Sequence, residues 1–184
     1  MPALSLSTAK LHVRVDGSDD DDTLIAALID AAADLAEHLT GRTLITRTRT
    51  HRVAEFGERV PLPGAPVTAI SDVKYLDTTG AEVTLSSGLY ALESGADWPA
   101  LVPAVGASWP AVQPGRADAV RITYSAGYGV DDTAVPSAIK QWMLLCVGTW
   151  YNLRESVVAG VSVAELPRGA WDALLDPYRV DMGL

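Results

Sequence analysis

The residue types that most often carry catalysis or metal binding are scattered along this chain. The histidines His12, His38 and His51 lie far apart and show no two-histidine metal spacing, and Cys146 has no second cysteine beside it. The segment Gly106–Pro110 begins like a nucleophile elbow, but it has proline where the motif requires its second glycine. The sequence therefore predicts no catalytic residue, no metal site and no cofactor, and we expect a protein that is not an enzyme.

Acidic residues form two groups near the start of the chain. The run Asp19–Asp22 precedes a segment of helical periodicity, where carboxylates are stabilised by the positive end of the helix dipole. A divalent-cation site is the functional alternative for this run. Asp30, Asp34 and Glu37 recur at i, i+4 and i+7 on the polar face of the same helix. A solvated face explains them simply, and an acidic channel lining that does not retain DNA is the functional alternative.

Basic residues are concentrated in one segment: residues 42–59 contain five of the fourteen lysines and arginines. On a strand, Arg47, Arg49 and His51 share one face, and Arg52 shares the other face with threonines. Phosphate binding, protection of a sheet edge, and attraction to an acidic neighbouring subunit are the three interpretations. We favour the neighbouring subunit and predict that Arg47 and Arg49 lie in an oligomer interface.

Large apolar side chains are unusually frequent toward the C-terminal end. They are Trp142, Leu145, Trp150 and Tyr151 on one predicted helix, and Trp171, Leu174, Leu175 and Tyr178 beyond it. Core packing accounts for some of them, and the others are typical of anchors for other chains, because tryptophan and tyrosine dominate interface hot spots. We therefore predict that the first group contributes to both the core and an oligomer interface.

These residues must be positioned by helices at the two ends of the chain and by strands between them. Apolar residues with a period of 3.6 predict a helix from Thr23 to Thr40, and a second helix begins at Pro136. Alternation and turn residues predict strands at 46–53, 67–76, 81–85, 89–92 and 119–125, with an ordered loop over 98–115. The predicted class is α+β, a small helical bundle with a β-rich insertion. We expect residues 1–42 and 131–177 to form the helical core, 43–130 the insertion and 178–184 a tail.

Composition limits the function further. The chain has 184 residues, 48% of them apolar, and a net charge of -9 at pH 7. That charge argues against general nucleic-acid binding, which needs clustered lysine and arginine. No apolar run approaches the roughly 18 residues of a membrane span, so we expect no membrane partner. With one cysteine, the fold does not depend on an oxidising compartment.

Several motifs recur in the order typical of one known family. They are Leu6-Ser7-Thr8-Ala9-Lys10-Leu11, Thr40-Gly41-Arg42-Thr43, Val73-Lys74-Tyr75, Tyr124-Ser125-Ala126-Gly127-Tyr128-Gly129, Trp150-Tyr151-Asn152-Leu153-Arg154-Glu155 and Pro177-Tyr178-Arg179-Val180. Together they resemble the head–tail connector (adaptor, or head-completion) proteins of tailed bacteriophages and gene transfer agents. The long β insertion departs from the smaller all-helical members of that family.

The resemblance implies a structural virion protein that forms a ring, usually of twelve subunits, under the portal. Such a ring extends the DNA channel, lets DNA pass without specific binding, and offers an attachment face to neck, stopper or tail proteins. Its place is the neck of the virion, after assembly in the host cytoplasm. On this basis Asp30, Asp34 and Glu37 are candidates for the channel lining. The candidates for portal docking are Trp171, Leu174, Leu175, Pro177, Tyr178, Arg179 and Val180.

Two other functions stay open from the sequence. One is a different neck or tail component, such as a stopper or a tail terminator. The other is a small enzyme with an unrecognised site, which predicts a deep pocket with convergent polar groups, whereas a connector predicts flat or elongated contact surfaces.

Overall fold

The predicted α+β class is confirmed by the structure, a computed structural model that describes residues 1–15, 19–95, 98–153 and 171–180. The chain divides into two compact units. One, here called the helical unit, contains Met1–Ile45 and Tyr128–Arg179. The other, here called the β unit, contains Thr46–Gly127 together with Val180.

The described part of the helical unit contains the helices α1 (Leu6–Val13), α2 (Asp22–Thr40) and α3 (Ser137–Asn152). The period of apolar residues in α2 places Ile25, Ile29, Ala32 and Ala36 in the core, where each is at most 2% exposed. Helix α2 ends at Gly41, which adopts a positive φ of 68° and donates its N–H to the Glu37 carbonyl oxygen at 2.9 Å. This glycine stop allows the chain to leave the helix toward the β unit.

Helix α3 packs against both α1 and α2. Its buried residues include Ile139, Met143 and Val147, which are fully excluded from solvent. A helix that is apolar on most of its circumference has to be covered on several sides. After α3 the next described residues are 171–180, where Asp176–Tyr178 forms a single 3₁₀ turn. The sequence also predicts a short helix over 169–175, which the proline after Asp176 ends. Residues 171 and 172 are helical, and residues 169 and 170 lie outside the described residues.

In the β unit the described residues form seven strands, and all of their pairings are antiparallel. They are β1 (Arg47–Val53), β2 (Val60–Pro61), β3 (Val67–Leu76), β4 (Glu82–Thr84), β5 (Tyr90–Glu93), β6 (Ala100–Pro103) and β7 (Val120–Ala126). The larger sheet has the order β1-β7-β3-β4, and the smaller one has the order β2-β6-β5.

One apolar core holds the two sheets of the β unit together. Strand β7 alternates strictly, so Val120, Ile122 and Tyr124 are buried while the residues between them are half-exposed. Leu62 and Leu101 join the same cluster from the β2 and β6 side. The loop predicted over 98–115 thus contains a strand, β6, that the proline and glycine content of the segment concealed.

Candidate interaction surfaces

The aromatic residues of α3 are built into the helical unit. Trp142 is 3% exposed, and its Nε1 donates to the Asp172 Oδ1 at 3.2 Å. Trp150 and Tyr151 are half-buried against the same core, and the Tyr151 hydroxyl bonds to the Asp21 carboxylate. Leu145 is half-buried as well. The oligomer-interface role of these four residues stays a prediction, and Trp142 has little surface left for a second chain.

The segment after residue 170 is also anchored to the helical unit. Leu175 is completely buried, and Trp171, Leu174 and Tyr178 pack against the same core. The Arg42 Nε donates to the Tyr178 carbonyl oxygen at 2.6 Å, which fixes this segment to the end of α2. Pro177 and Arg179 are exposed, whereas Val180 is 8% exposed. The exposed residues of this segment are Ala173, Asp176, Pro177 and Arg179, and its portal-docking role stays a prediction.

The three acidic residues of α2 differ in their surroundings. Asp30 and Asp34 are exposed, as a solvated face requires. Glu37 is half-buried, and its Oε1 accepts the N–H of Leu44 at 2.8 Å. One carboxylate of the predicted channel lining thus helps to hold the chain where it turns away from α2, a role that helical spacing alone did not reveal. The channel-lining role of all three stays a prediction.

The basic residues of β1 lie on both faces of an edge strand. Arg49 is paired with Tyr124 and Arg47 with Ala126, so both point to the face of β7 that is buried. Burial raises the pKa of the Tyr124 phenol, and the charge of Arg49 opposes part of that shift. Burial also lowers the pKa of His51 on the same face. Arg47 is exposed and Arg49 is half-buried, and their interface role stays a prediction.

A group of cations on the opposite face was not identified from the sequence. Arg52 of β1 lies directly across from Arg121 of β7, and Arg121 lies across from Lys74 of β3. Residues that are directly opposed on neighbouring strands share a face of the sheet. The three come from segments that are far apart in the sequence, so only the strand register brings them together.

The acidic run Asp19–Asp22 ends at the first residue of α2. It bonds to Lys10 of α1 and to Tyr151 of α3. The Lys10 Nζ lies 2.6 Å from the Asp22 Oδ1 and 3.3 Å from the Asp19 Oδ1. These contacts, with the hydrogen bond to Asp22 as the largest cause, raise the pKa of the Lys10 amino group. Among the residues that the structure describes, no group of three or more histidine, cysteine, aspartate or glutamate side chains could hold a metal ion.

The thiol has the surroundings of a structural residue. Burial, with a smaller contribution from the charge of Asp172, raises the pKa of Cys146 to about 11, so the thiol stays protonated at neutral pH.

Within the described ranges no helix has both the length and the apolar character that a bilayer crossing needs.

Part of the chain matches the model of a known protein family. Residues 3–82 match the family model described as Phage gp6-like head-tail connector protein; this range runs from α1 to the first residue of β4. Comparison with curated protein sequences gives no match.

Three solved structures are similar over nearly the whole chain. A chain in the neck of an empty gene transfer agent (GTA) particle, computed with C6 symmetry, is 26% identical with a TM-score of 0.78; the alignment covers 97% of this chain and 90% of that one. A chain in the neck of a native GTA particle, computed with C12 symmetry, is 24% identical with a TM-score of 0.76, over 97% and 89%. A chain in the virion of a native GTA particle is 24% identical with a TM-score of 0.74, over 97% and 90%. These findings confirm the resemblance drawn from the sequence and support a structural neck or connector protein, a class of protein that is not enzymatic.

Proposed function

We propose that this chain forms a ring of twelve copies in the neck of a phage-like particle or gene transfer agent, between the portal and the next neck or tail protein. The observation that carries the proposal is the likeness, over 97% of the chain at 26% identity, to a chain in the neck of a GTA particle. The C6 and C12 symmetries under which the two neck structures were computed support a ring oligomer. Identical heterologous contacts close into a ring when the rotation between neighbouring copies closes.

The charge of the chain suits a channel through which DNA moves. A net charge of -9 on each copy gives the ring a strongly negative potential, so the DNA phosphates are repelled and not held. In this proposal the ring extends the portal channel and makes no specific contact with bases.

Portal docking is assigned to the exposed part of residues 171–180, here called the C-terminal segment. Pro177 and Arg179 lie next to residues that are anchored in the helical core, so their positions are fixed before a partner arrives. Arg179 pairs with Asp176 at 3.2 Å, and its side chain remains 43% exposed. An exposed arginine beside a rigid turn can pair with an acidic group on the portal at a low entropic cost.

The proposal is tested by adding the purified chain to the assembled portal ring of the same particle. We expect the wild-type chain to sediment with the portal, and native mass spectrometry to give twelve copies on each portal ring. The Arg179→Glu variant is expected to bind the portal about tenfold more weakly or worse, because a repulsive charge replaces an attractive one.

Charge reversal elsewhere in the same unit provides the control. The Arg14→Glu variant changes the exposed residue that follows α1, and its binding is expected to equal that of the wild type. A wild-type chain that remains a monomer with the portal contradicts the ring. A ring that binds a tail tube and not the portal identifies a tail terminator, and one that binds only below another neck ring identifies a stopper.

A further inference from the structure

The β unit carries an open depression whose lining has more cations than anions. Its volume is about 190 Å³. Its lining consists of Arg52, Lys74, Tyr75, Leu76, Glu82, Arg116, Asp118, Ala119 and Arg121. Four side chains of this lining are basic and two are acidic, so the depression is positive in a chain whose net charge is -9.

Three of the cations form a row across three adjacent strands. Arg52, Arg121 and Lys74 occupy directly opposed positions on β1, β7 and β3. Neighbouring strands are about 4.8 Å apart. Like charges that face each other across strands destabilise a sheet. The row therefore costs stability in the isolated unit, and a bound anion would remove that cost.

The carboxylates of the unit compensate this charge only in part. Glu82 lies 2.9 Å from the Arg121 guanidinium and 3.7 Å from the Lys74 amino group, and Asp72 lies 3.9 Å from the same amino group. Arg52 is exposed, and within the described ranges it forms no hydrogen bond or ion pair. The uncompensated charge of the row is therefore located at Arg52, on the edge strand.

Arg116 is the fourth cation and lies outside the sheet. It pairs with Asp118 at 3.2 Å, and both side chains are about half exposed. An exposed pair of this kind is worth little in water, so Arg116 can exchange its partner at a low cost.

We propose that this depression binds the acidic face of α2 from a neighbouring copy of the same chain, through Asp30 and Asp34. The inference rests on the proposed ring, because it describes one contact between adjacent copies. The depression lies in the β unit and the two aspartates lie in the helical unit. One copy thus offers two different surfaces to two neighbours, which is the heterologous contact that a ring requires.

Charge and spacing favour this occupant. Asp30 and Asp34 are exposed, and in the described part of the chain neither has a hydrogen bond or an ion pair. Residues at i and i+4 of a helix are about 5–6 Å apart at their Cβ atoms, close to the strand spacing of the cation row. The two carboxylates would meet Arg52, which has no partner in the described ranges, and Arg116, whose exposed pair with Asp118 exchanges at a low cost.

A DNA backbone fits the same site less well. Glu82 and Asp118 line the depression and would repel a phosphate backbone, which favours uninterrupted clusters of lysine and arginine. Asp30 and Asp34 then meet the neighbouring copy, so this contact competes with the channel-lining role predicted for them.

Two charge-reversal variants test the contact. In the depression variant, Arg52→Glu is combined with Arg116→Glu; in the helix variant, Asp30→Lys is combined with Asp34→Lys. Each variant alone is expected to lower the fraction of copies in portal-bound rings about tenfold or more, because like charges then face each other at every contact. Mixed in equal amounts, they are expected to regain assembly as alternating rings, since each reversed surface then meets a reversed partner. Native mass spectrometry measures both the ring size and the alternation.

Matched controls keep the result interpretable. The Thr48→Glu/Thr50→Glu variant adds two carboxylates to the same face of β1 outside the depression, and it should assemble like the wild type. Circular dichroism establishes that every variant is folded. Raising the salt from about 0.1 M to about 1 M shortens the screening length from about 10 Å to about 3 Å, and it should weaken wild-type rings.

The outcomes separate this inference from the proposed function. If the wild type forms rings and the depression variant forms them equally well, the α2 contact is wrong and the ring stands. If each variant fails but the mixture does not recover, the two surfaces do not meet each other. Loss of duplex-DNA binding by the depression variant with normal ring formation assigns the site to phosphate instead. A wild-type chain that stays monomeric with the portal overturns both proposals.

Discussion

In the helical unit, the large side chains that follow α3 are packed into the core, whereas in the β unit charged side chains line one end of the larger sheet. Leu175 of the helical unit is fully buried, and none of the five tryptophans of the chain is exposed. In the β unit, the register of three strands brings Arg52, Arg121 and Lys74 into one row. The two units therefore offer partners different chemistry, since the helical unit uses most of its apolar surplus internally.

Aromatic residues serve internal contacts in both units. In the β unit, the rings of Phe56 and Trp109 stack at 4.5 Å with an interplanar angle of 9°, and the Trp109 Nε1 donates to the Gly57 carbonyl oxygen at 2.8 Å. These contacts close a loop onto its own unit. In the helical unit, Trp142 bonds to Asp172 and so ties α3 to a segment 30 residues further along the chain. An aromatic surplus in a sequence can thus serve to anchor loops and termini before it serves a partner.

The largest effect is expected from removing the central side chain of the C-terminal segment. Leu175→Ala leaves a cavity among α3 and the residues around it, and we expect a loss of about 2–5 kcal/mol from the free energy of unfolding of the helical unit. Urea unfolding followed by the circular-dichroism signal of the helices measures it. Leu89→Ala is the control, because Leu89 is 39% exposed in the β unit and should cost far less. Equal losses for the two variants would contradict the assignment of this segment to the helical core.

A smaller effect is expected where the chain re-enters the helical unit after β7. Gly129 pairs with Ile45 in an isolated parallel bridge, and a Cβ at Gly129 would overlap the Ala134 side chain. Gly129→Ala is therefore expected to destabilise the helical unit by about 1–3 kcal/mol, because the 129–134 loop must shift to admit a methyl group.

The β unit supplies the control for that substitution. A Cβ at Gly88 would meet nothing within 4 Å, so Gly88→Ala should leave the stability of the chain nearly unchanged. Thermal unfolding of the two variants against the wild type gives the comparison. A Gly129→Ala variant as stable as Gly88→Ala would mean that the 129–134 loop accommodates the added methyl group without a loss of stability.

The local patterns of the sequence predicted individual elements well. The apolar period gave α2, observed over Asp22–Thr40, and alternation gave β3 at the observed bounds Val67–Leu76. The residues Asp77-Thr78-Thr79-Gly80 predict a hairpin turn before β4, and the turn is present with Gly80 at a φ of 87°. Each of these depends on residues within one turn or one strand, which the sequence displays directly.

The interaction surfaces depend on register and on tertiary contacts, and local patterns do not contain that information. Arg52 was placed correctly on the face opposite Arg49, but its cationic neighbours come from β3 and β7. Glu37 has the spacing of a solvated residue, yet it accepts the N–H of Leu44 beyond the end of the helix. The two-residue strand β2 was missed because its pairing with β6 carries no periodic signal of its own.

The smallest effect concerns two aspartates that close equivalent turns, one in each unit. Asp77 of the β unit accepts the Thr79 hydroxyl at 2.6 Å and the N–H groups of Thr79 and Ala81 at 2.8 and 3.0 Å. In the described part of the chain, Asp131 of the helical unit accepts the hydroxyl and the N–H of Thr133 and no third donor. In both cases the hydrogen bond from the threonine hydroxyl is the main cause that lowers the pKa of the carboxyl group.

A lowered pKa in the folded state means that each aspartate stabilises its unit above the ordinary value of 3.8, and that this stabilisation is lost as the pH falls through the folded pKa. We expect Asp77→Ala to lower the thermal midpoint slightly at neutral pH and to have no further effect in acid, where the wild type has already lost the same bonds. Asp131→Ala should behave alike with a smaller shift, because fewer donors meet its carboxylate. The difference between the midpoints at neutral and acidic pH, measured for both variants and the wild type, tests this order. A larger pH-dependent shift for Asp131→Ala would show that donor number does not rank the two turns.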